Sequence, residues 1–340
     1  MERHIAELTA AQRRLGVKVT SAYNIGGPDG DAIQVLKSHE LYRLRPTLLR
    51  NLVFYGAILL THRKALSRSR VDVVHAHGGW SAFVFARALA RAVGAPVVAA
   101  SVHDFIKRNP ALHRRAMKGC DPVFATGLGE ARYFQDLLGR PVHHLPSAPA
   151  DMFFAPPTAQ AEPSDIIVVG SLVPKKRIEL VLECAARRPD LSFAIFGDGP
   201  LRARLESLRS QAGLANISFH GAVTIERIRS AMHRARLFLN VSQFEGSPTA
   251  ALEAMACGLP VVLTPSNDYS ALVQSGTNGI VTRGWDVEEI AAAIDRCLAD
   301  EDRRQRMGDA AKEIAQGHRW AAKARLVTEA MRNVLEMRAG

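Results

Sequence analysis

Cysteine is scarce in this chain, and its spacing excludes two common ways of stabilising a small fold. The 340 residues include only four cysteines, far apart and without the paired spacing of zinc ligands: Cys120, Cys184, Cys257 and Cys297. We therefore expect neither a disulfide framework nor a structural zinc site. The pattern is typical of reduced, buried cysteines in a cytosolic protein.

Long apolar runs are missing as well. No stretch of about 18 or more apolar residues occurs, so the sequence predicts no membrane-spanning helix. No signal peptide is recognisable at the start of the chain. Together with the unpaired cysteines, these features predict a cytoplasmic protein.

Negative charge is low in the first half of the chain. Residues 1–150 hold 21 Lys and Arg against 10 Asp and Glu (net +11), whereas residues 151–340 hold 23 of each and have no net charge. This asymmetry favours two domains with different roles. A basic half suits nucleic acid, an anionic membrane or an acidic substrate. Aromatic residues make up only 6% of the chain and are not interleaved with the basic ones, so nucleic acid is not expected as a partner.

The second half alternates regularly between short apolar segments and helical ones. This pattern predicts a parallel, doubly wound α/β sheet. Strands are predicted near residues 165–170, 192–197, 217–220, 237–241, 261–264 and 279–282. Three helices are predicted to end the chain, over residues 286–299, 301–315 and 320–337.

The first half alternates less regularly. A helix is predicted over residues 2–15, and strands over 17–22, from 71 onward, and over 96–101, 122–126 and 142–145. A helix with a wide apolar band is predicted over residues 45–70, and basic residues crowd its ends. This helix is either a core helix or a surface that rests on anionic lipid, where each nearby Lys or Arg contributes about 1 kcal/mol. A segment rich in Pro and Ala over 155–163 predicts a linker.

One segment of the second half combines a helix start with two acidic residues. Ser247 and Pro248 suit the N-cap and the first residue of a helix that ends before Gly258. The free backbone N–H groups at such a helix start favour phosphate. The carboxylates of Glu245 and Glu253 accept hydrogen bonds from sugar hydroxyls. The residues alone leave a second interpretation open, a capped helix with two solvated acids.

The block from Ser242 to Val262, with Glu-Gly-Ser-Pro in its loop and Glu-Ala-Met-Ala-Cys-Gly-Leu-Pro-Val after it, resembles a known signature. It is similar to the Glu-x7-Glu motif of retaining, nucleotide-sugar-dependent glycosyltransferases of family 4 (group 1). The resemblance implies an α/β fold of the GT-B type, in which two Rossmann-like domains face each other across a cleft. It implies an acceptor-side domain over 1–155, a nucleotide-sugar domain over 156–318, and a last helix over 319–340 that returns to the first domain.

The resemblance also implies an activity and its partners. The enzyme would move a hexosyl group from a nucleotide-diphosphate sugar to a glycan or lipid-linked acceptor, with retention of anomeric configuration. Such reactions build cell-surface glycans and glycolipids, so contact with the inner face of a membrane fits the family. No metal ion or other cofactor is implied, because a helix dipole and basic side chains stabilise a leaving diphosphate.

Roles for individual residues follow from the same resemblance. Glu253 is implied to bind the ribose hydroxyls and Lys176 the diphosphate. This chain has Ser171 where relatives have an arginine, so the side chain there can only form hydrogen bonds with the donor. Glu245 and His103 are implied to act on the donor sugar. The remaining donor-binding residues are those that begin the helix: Gly246, Ser247, Pro248 and Thr249.

Two features leave questions open. Relatives have a strand and a glycine-rich loop ahead of a segment like residues 2–8, so a first domain without its opening strand is predicted. This departure leaves open a catalytically inactive protein that binds nucleotide sugar or lipid; a nucleotide-sugar epimerase of the same fold is the other alternative.

His75 and His77 share one face of a predicted strand, but with no third ligand nearby we interpret them as polar strand-end residues.

Overall fold

The computed structural model describes residues 2–20, 22–23, 33–34, 56, 70–103, 109–157, 161–245, 249–265 and 272–340. The chain divides into two compact units, one formed by Met1–Pro146 with Trp320–Gly340 and the other by Ser147–Arg319. Both are α/β units built on parallel sheets. Almost all of the predicted apolar helix over 45–70 lies outside the described residues.

The first unit begins with helix α1 (Glu2–Arg14), as its apolar period predicts. The strand predicted next, over 17–22, is wrong for residues 17–20, which form no strand. The reason is local: the Arg13 guanidinium donates to the carbonyl oxygen of Val19 at 3.0 and 3.3 Å and so uses an acceptor that a strand ladder needs. Only β1 (Ala22–Tyr23) forms, paired in parallel with β2 (Ile33–Gln34).

The main sheet of the first unit has four parallel strands that lie in sequence order. They are β3 (Val73–Gly78), β4 (Val97–Val102), β5 (Val123–Ala125) and β6 (His143–His144). The helices between them are α2 (Trp80–Val93), α3 (Pro110–Met117) and α4 (Leu128–Leu138). All six residues of β4 are buried, as expected for an inner strand of a parallel sheet covered on both faces.

The second unit contains a six-stranded parallel sheet with strand order β12-β11-β10-β7-β8-β9. Its strands are β7 (Ser164–Val169), β8 (Phe193–Phe196), β9 (Ile217–Gly221), β10 (Ala235–Asn240), β11 (Val261–Leu263) and β12 (Gly279–Val281). Its helices are α5 (Ile178–Arg187), α6 (Arg202–Gln211), α7 (Ile225–Arg234), α8 (Thr249–Ala256), α9 (Val287–Leu298) and α10 (Glu301–Gln316). These elements match the predicted strands and helices to within two residues at most ends.

The sheet of the second unit has an apolar core on each face. Along β7, Ile166 and Val168 belong to one buried cluster and Ile167 to the other, because successive side chains of a strand point to opposite faces. This arrangement requires apolar residues at consecutive positions. It explains why the sequence shows short continuous apolar runs rather than an alternating pattern.

The boundaries of the units follow from packing. Residues 147–155, predicted as the end of the first domain, lie in the second unit, where Phe153 is fully buried and Ala150 joins the same core. The last helix, α11 (Trp320–Ala339), belongs to the first unit and packs on α1 and β4. Among the described helices, none has the length and apolarity needed to cross a membrane.

Candidate functional site

We expect a ligand site at the carboxyl edge of the second unit's sheet. Strand β7 continues to β8 and β9 on one side, after which the chain returns to add β10, β11 and β12 on the other. In open parallel sheets, ligands bind outside the carboxyl ends of the strands, where the order reverses in this way. The segments that leave β7 and β10 at this edge hold Ser171, Lys176 and Glu245.

Lys176 and Glu245 form the centre of this site. Lys176 ends a 3-10 turn (Pro174–Lys176), and its Nζ donates to Oε1 of Glu245 in a salt bridge. The two side chains are only 17% and 9% exposed. The hydroxyl of Ser242 donates to the same carboxylate oxygen at 2.8 Å. A largely buried carboxylate thus has both a counter-ion and a neutral donor, which offset much of the cost of taking its charge out of water.

The backbone holds the two loops together. The amide of Gln243 donates to the carbonyl oxygen of Lys175 at 2.7 Å, which ties the loop after β10 to the turn after β7. The Lys176 side chain lies against Gly170, where a Cβ atom would stand 3.3 Å from its Cε and Nζ. A residue larger than glycine at this position would therefore press on the lysine. The ammonium is positioned by its surroundings rather than left to move freely in solvent.

Sequence reasoning missed the polar residues that hold Ser242. Its amide donates to Oδ1 of Asn240 at 3.0 Å. Its carbonyl oxygen accepts from the hydroxyl of Thr264 at 2.8 Å and from the indole N–H of Trp285 at 3.2 Å. Asn240 ends β10 and Thr264 directly follows β11, so a buried polar residue at the carboxyl end of an apolar strand is the signal that would have found both.

Three of the other predicted donor-binding residues lie in the part of the chain that the structure describes. Ser171 is exposed in the turn that follows β7, and Thr249 is half-buried at the first position of α8. Glu253 lies one turn further along the same helix and is only 4% exposed. The loop residues between β10 and α8, namely Gly246, Ser247 and Pro248, lie outside the described residues. Of the predicted donor site, the structure brings Lys176 and Glu245 into direct contact.

The first unit contains a cluster of histidines around His103. His103 follows β4, and its Nε2 lies 3.0 Å from Nδ1 of His77 on the neighbouring strand β3. The ring of His4, from helix α1, meets the His103 ring edge-on at 4.7 Å between centroids. The prediction that no third ligand lies near His75 and His77 is therefore wrong. Helix α1 is distant in sequence but packs His4 against the strand ends, which no local pattern reveals.

Burial keeps these imidazoles neutral at pH 7. It is the largest cause that lowers the pKa of His103 to about 4, of His75 to about 3 and of His4 to about 2, and it holds the pKa of His77 well below the usual value. Repulsion by neighbouring histidines lowers the pKa of His4, His75 and His77 further. A neutral imidazole has one N–H donor and one acceptor nitrogen, so a single proton serves the His77–His103 hydrogen bond.

Comparison with solved structures identifies the fold class. Sucrose-phosphate synthase from Thermosynechococcus elongatus superposes with a TM-score of 0.80 at 18% identity, over 98% of this chain and 92% of that one. HepE from Anabaena, in a complex with UDP and glucose, superposes with a TM-score of 0.78 at 16% identity, over 98% of this chain and 95% of that one. The fold is that of the GT-B glycosyltransferases.

Sequence comparison then identifies the family. Residues 1–148 match the family model "Glycosyltransferase Family 4", and residues 151–314 match "Glycosyl transferases group 1". The chain belongs to the group 1 glycosyltransferases of family 4 and is a glycosyltransferase.

Two curated relatives illustrate the range of the family. Alpha-D-kanosaminyltransferase from Streptomyces kanamyceticus is 28% identical over 76% of this chain and 77% of its own length. The GDP-mannose-dependent alpha-(1-6)-phosphatidylinositol monomannoside mannosyltransferase from Mycolicibacterium smegmatis is 28% identical over 76% of this chain and 67% of its own.

Proposed function

We propose that this glycosyltransferase moves a hexosyl group from a nucleotide-diphosphate sugar to a glycan or lipid-linked acceptor, with retention of anomeric configuration. The observation that carries the proposal is the Lys176–Glu245 pair at the carboxyl edge of the second sheet. The bound UDP of the HepE complex and the GDP-mannose dependence of the mycobacterial relative support a nucleotide sugar as donor. The proposed role of the enzyme is the synthesis of cell-surface glycans or glycolipids.

In this scheme the donor's diphosphate meets Lys176. When the bond between the sugar and the diphosphate breaks, negative charge develops on the leaving group, and a fixed, poorly hydrated ammonium stabilises that charge. Glu245 holds the ammonium in place and offers carboxylate oxygens to the sugar hydroxyls, while the hydroxyl of Ser242 donates to that carboxylate. Backbone N–H groups at the start of α8 add further donors for phosphate. No metal ion is needed, because these groups supply the compensating charge.

Glu253→Ala tests the donor site directly. Loss of a hydrogen bond to a charged acceptor costs about 1.5–3 kcal/mol, so we expect KM for the donor to rise about 10- to 100-fold. The measurement is nucleotide release from UDP-, GDP- and ADP-sugars, with and without candidate acceptors. Glu313→Ala, at an exposed position of α10, is the matched control and should keep the KM of the unchanged chain.

Three outcomes of this screen count against the proposal. Either no donor binds the unchanged protein, or Glu253→Ala turns over donor as well as the unchanged chain does, or the free nucleotide sugar is converted to an isomer without an acceptor. The last outcome identifies an epimerase.

We further propose that the enzyme is cytoplasmic and that its basic half draws it to an anionic membrane surface. Residues 1–150 have a net charge of +11, and each basic residue near such a surface contributes about 1 kcal/mol. In flotation, more protein should be recovered with vesicles that contain anionic lipid than with neutral vesicles, and raised salt should remove the difference. Equal recovery with both kinds of vesicle would contradict the membrane proposal.

A further inference from the structure

We propose that His4, His77 and His103 bind a divalent transition metal of the zinc class, and that the bound metal withdraws His103 from glycosyl transfer. The binding site rests on the geometry of the first unit alone. The inhibitory effect also rests on the proposed role of His103 in the reaction.

The three side chains reach the site from three separate elements: α1, β3 and the segment after β4. Each offers one ring nitrogen, and the three nitrogens lie within 4.8 Å of one another. Zinc–nitrogen bonds of about 2.0–2.1 Å place tetrahedral ligands about 3.3 Å apart. His77 Nδ1 and His103 Nε2, 3.0 Å apart, are close to that spacing. For a tetrahedral site the third nitrogen, from His4, moves to this distance from a present separation of at most 4.8 Å.

The chemistry of the group selects the kind of metal. Neutral imidazole is a ligand for zinc, copper, nickel and cobalt, whereas magnesium and calcium prefer oxygen, and this group contains no carboxylate. Three histidines leave a fourth position open, as in sites where zinc binds an exchangeable ligand.

Binding changes what His103 can do. His77 Nδ1 and His103 Nε2 would each give a lone pair to the metal, so the ring that donates the present hydrogen bond would move that proton to its other nitrogen. Both rings stay neutral, and two metal–nitrogen bonds replace the hydrogen bond. No electron is transferred, and ligand water leaves the metal. His103 is then fixed on the metal and unavailable to a donor sugar.

Binding is tested on the full, untagged chain after treatment with chelator. Titration calorimetry with Zn²⁺ should give one site per chain, and Co²⁺ should develop the strong visible absorption of a tetrahedral site. His4→Gln and His77→Gln should each weaken binding by at least about 10- to 100-fold, the loss typical even for outer-shell partners. His143→Gln, at the half-buried end of β6, removes a histidine of the same unit outside the group and should bind as the unchanged chain does.

Circular dichroism of every variant shows whether it is folded, and the Co²⁺ spectrum of the unchanged chain stands even where one variant fails to fold. Absence of a Co²⁺ spectrum and of Zn²⁺ heat in the unchanged chain would overturn the proposal. So would binding by folded His4→Gln and His77→Gln that equals that of the unchanged chain.

Inhibition is tested separately. Zn²⁺ should reduce donor turnover and chelator should restore it, and half-inhibition should need about 10- to 100-fold more Zn²⁺ in His4→Gln. Each variant is compared with its own metal-free rate. Metal binding without inhibition would overturn the claim that the metal inhibits transfer through His103. It would leave the proposed binding site unaffected. Absence of turnover in the metal-free chain counts against the proposed function and does not affect the binding result.

Discussion

Lys176→Ala should lower kcat/KM for the nucleotide-sugar donor about 100- to 1,000-fold. This is the usual loss when one group that stabilises developing negative charge is removed from an active site. Lys176 lies at the carboxyl edge where the segments after β7 and β10 meet, and Glu245 holds its ammonium there. The effect should fall mainly on kcat, because the leaving diphosphate carries more negative charge in the transition state than in the bound donor. Steady-state kinetics with the donor found in the screen measures it.

Two variants serve as controls for this prediction. Lys175→Ala removes an exposed ammonium one residue away, while the backbone carbonyl that accepts from Gln243 remains. We expect this variant to stay within about threefold of the unchanged chain, because an exposed charge is strongly screened. Lys176→Arg keeps the charge but not its position and should give an intermediate loss. Equal rates for Lys176→Ala and Lys175→Ala would show that the diphosphate does not meet Lys176.

The fold of the second unit could be predicted because its local signals agree with its topology. Short apolar runs mark buried parallel strands, and side chains that cap helices mark the helix starts: Asp286 accepts from the amide of Glu289, and Asp300 from that of Arg303. The observed α8 and the strands on either side of it confirm the predicted strand–loop–helix–strand unit.

The first unit was harder to predict for a physical reason. Residues 17–20 do not form the predicted strand, and the Arg13 side chain donates a hydrogen bond to the carbonyl oxygen of Val19. A strand propensity cannot register such a competing donor. The first unit's segment ends at Pro146 because Phe153 packs into a core of the second unit. Such packing is a tertiary contact that local sequence does not reveal.

The candidate site also has a part that could be predicted from the sequence and a part that could not. The contact between Lys176 and Glu245 follows from two adjacent strands of one sheet, so a family pattern placed on a parallel topology predicts it. The support of Ser242 comes from Thr264 and Trp285, which lie beyond the next helix and are brought in by packing alone. His4 is a similar case, since its position in the histidine cluster depends on how α1 packs. The sequence thus predicts the two residues of the salt bridge, Lys176 and Glu245, and misses the residues that hold Ser242 and the position of His4.

Gly197→Ala should destabilise the second unit by about 4 kcal/mol or more, the range reached when a side chain is forced into a strained backbone that has no space for it. Gly197 follows β8 with φ = +136°, a conformation that residues with a Cβ rarely adopt. A Cβ atom there would stand 1.9 Å from the carbonyl oxygen of Gly170. Gly170 supports Lys176, so relief of the clash by backbone movement would also displace the lysine. Urea unfolding followed by circular dichroism measures the loss.

Two other glycines of the same unit separate strain from collision. Gly213 has φ = +64° but no atom within 4 Å of a built Cβ, so Gly213→Ala carries only the backbone cost of about 1–2 kcal/mol. Gly284 has neither a positive φ nor a neighbour within 4 Å, and Gly284→Ala should change the free energy of unfolding by less than about 0.5 kcal/mol. The expected order of destabilisation is Gly197, Gly213, Gly284. The contrary result is that Gly197→Ala lowers the free energy of unfolding by no more than Gly213→Ala does. That result would show that Gly197 does not approach the carbonyl of Gly170 as closely as described, and it would contradict the position of Lys176 against Gly170.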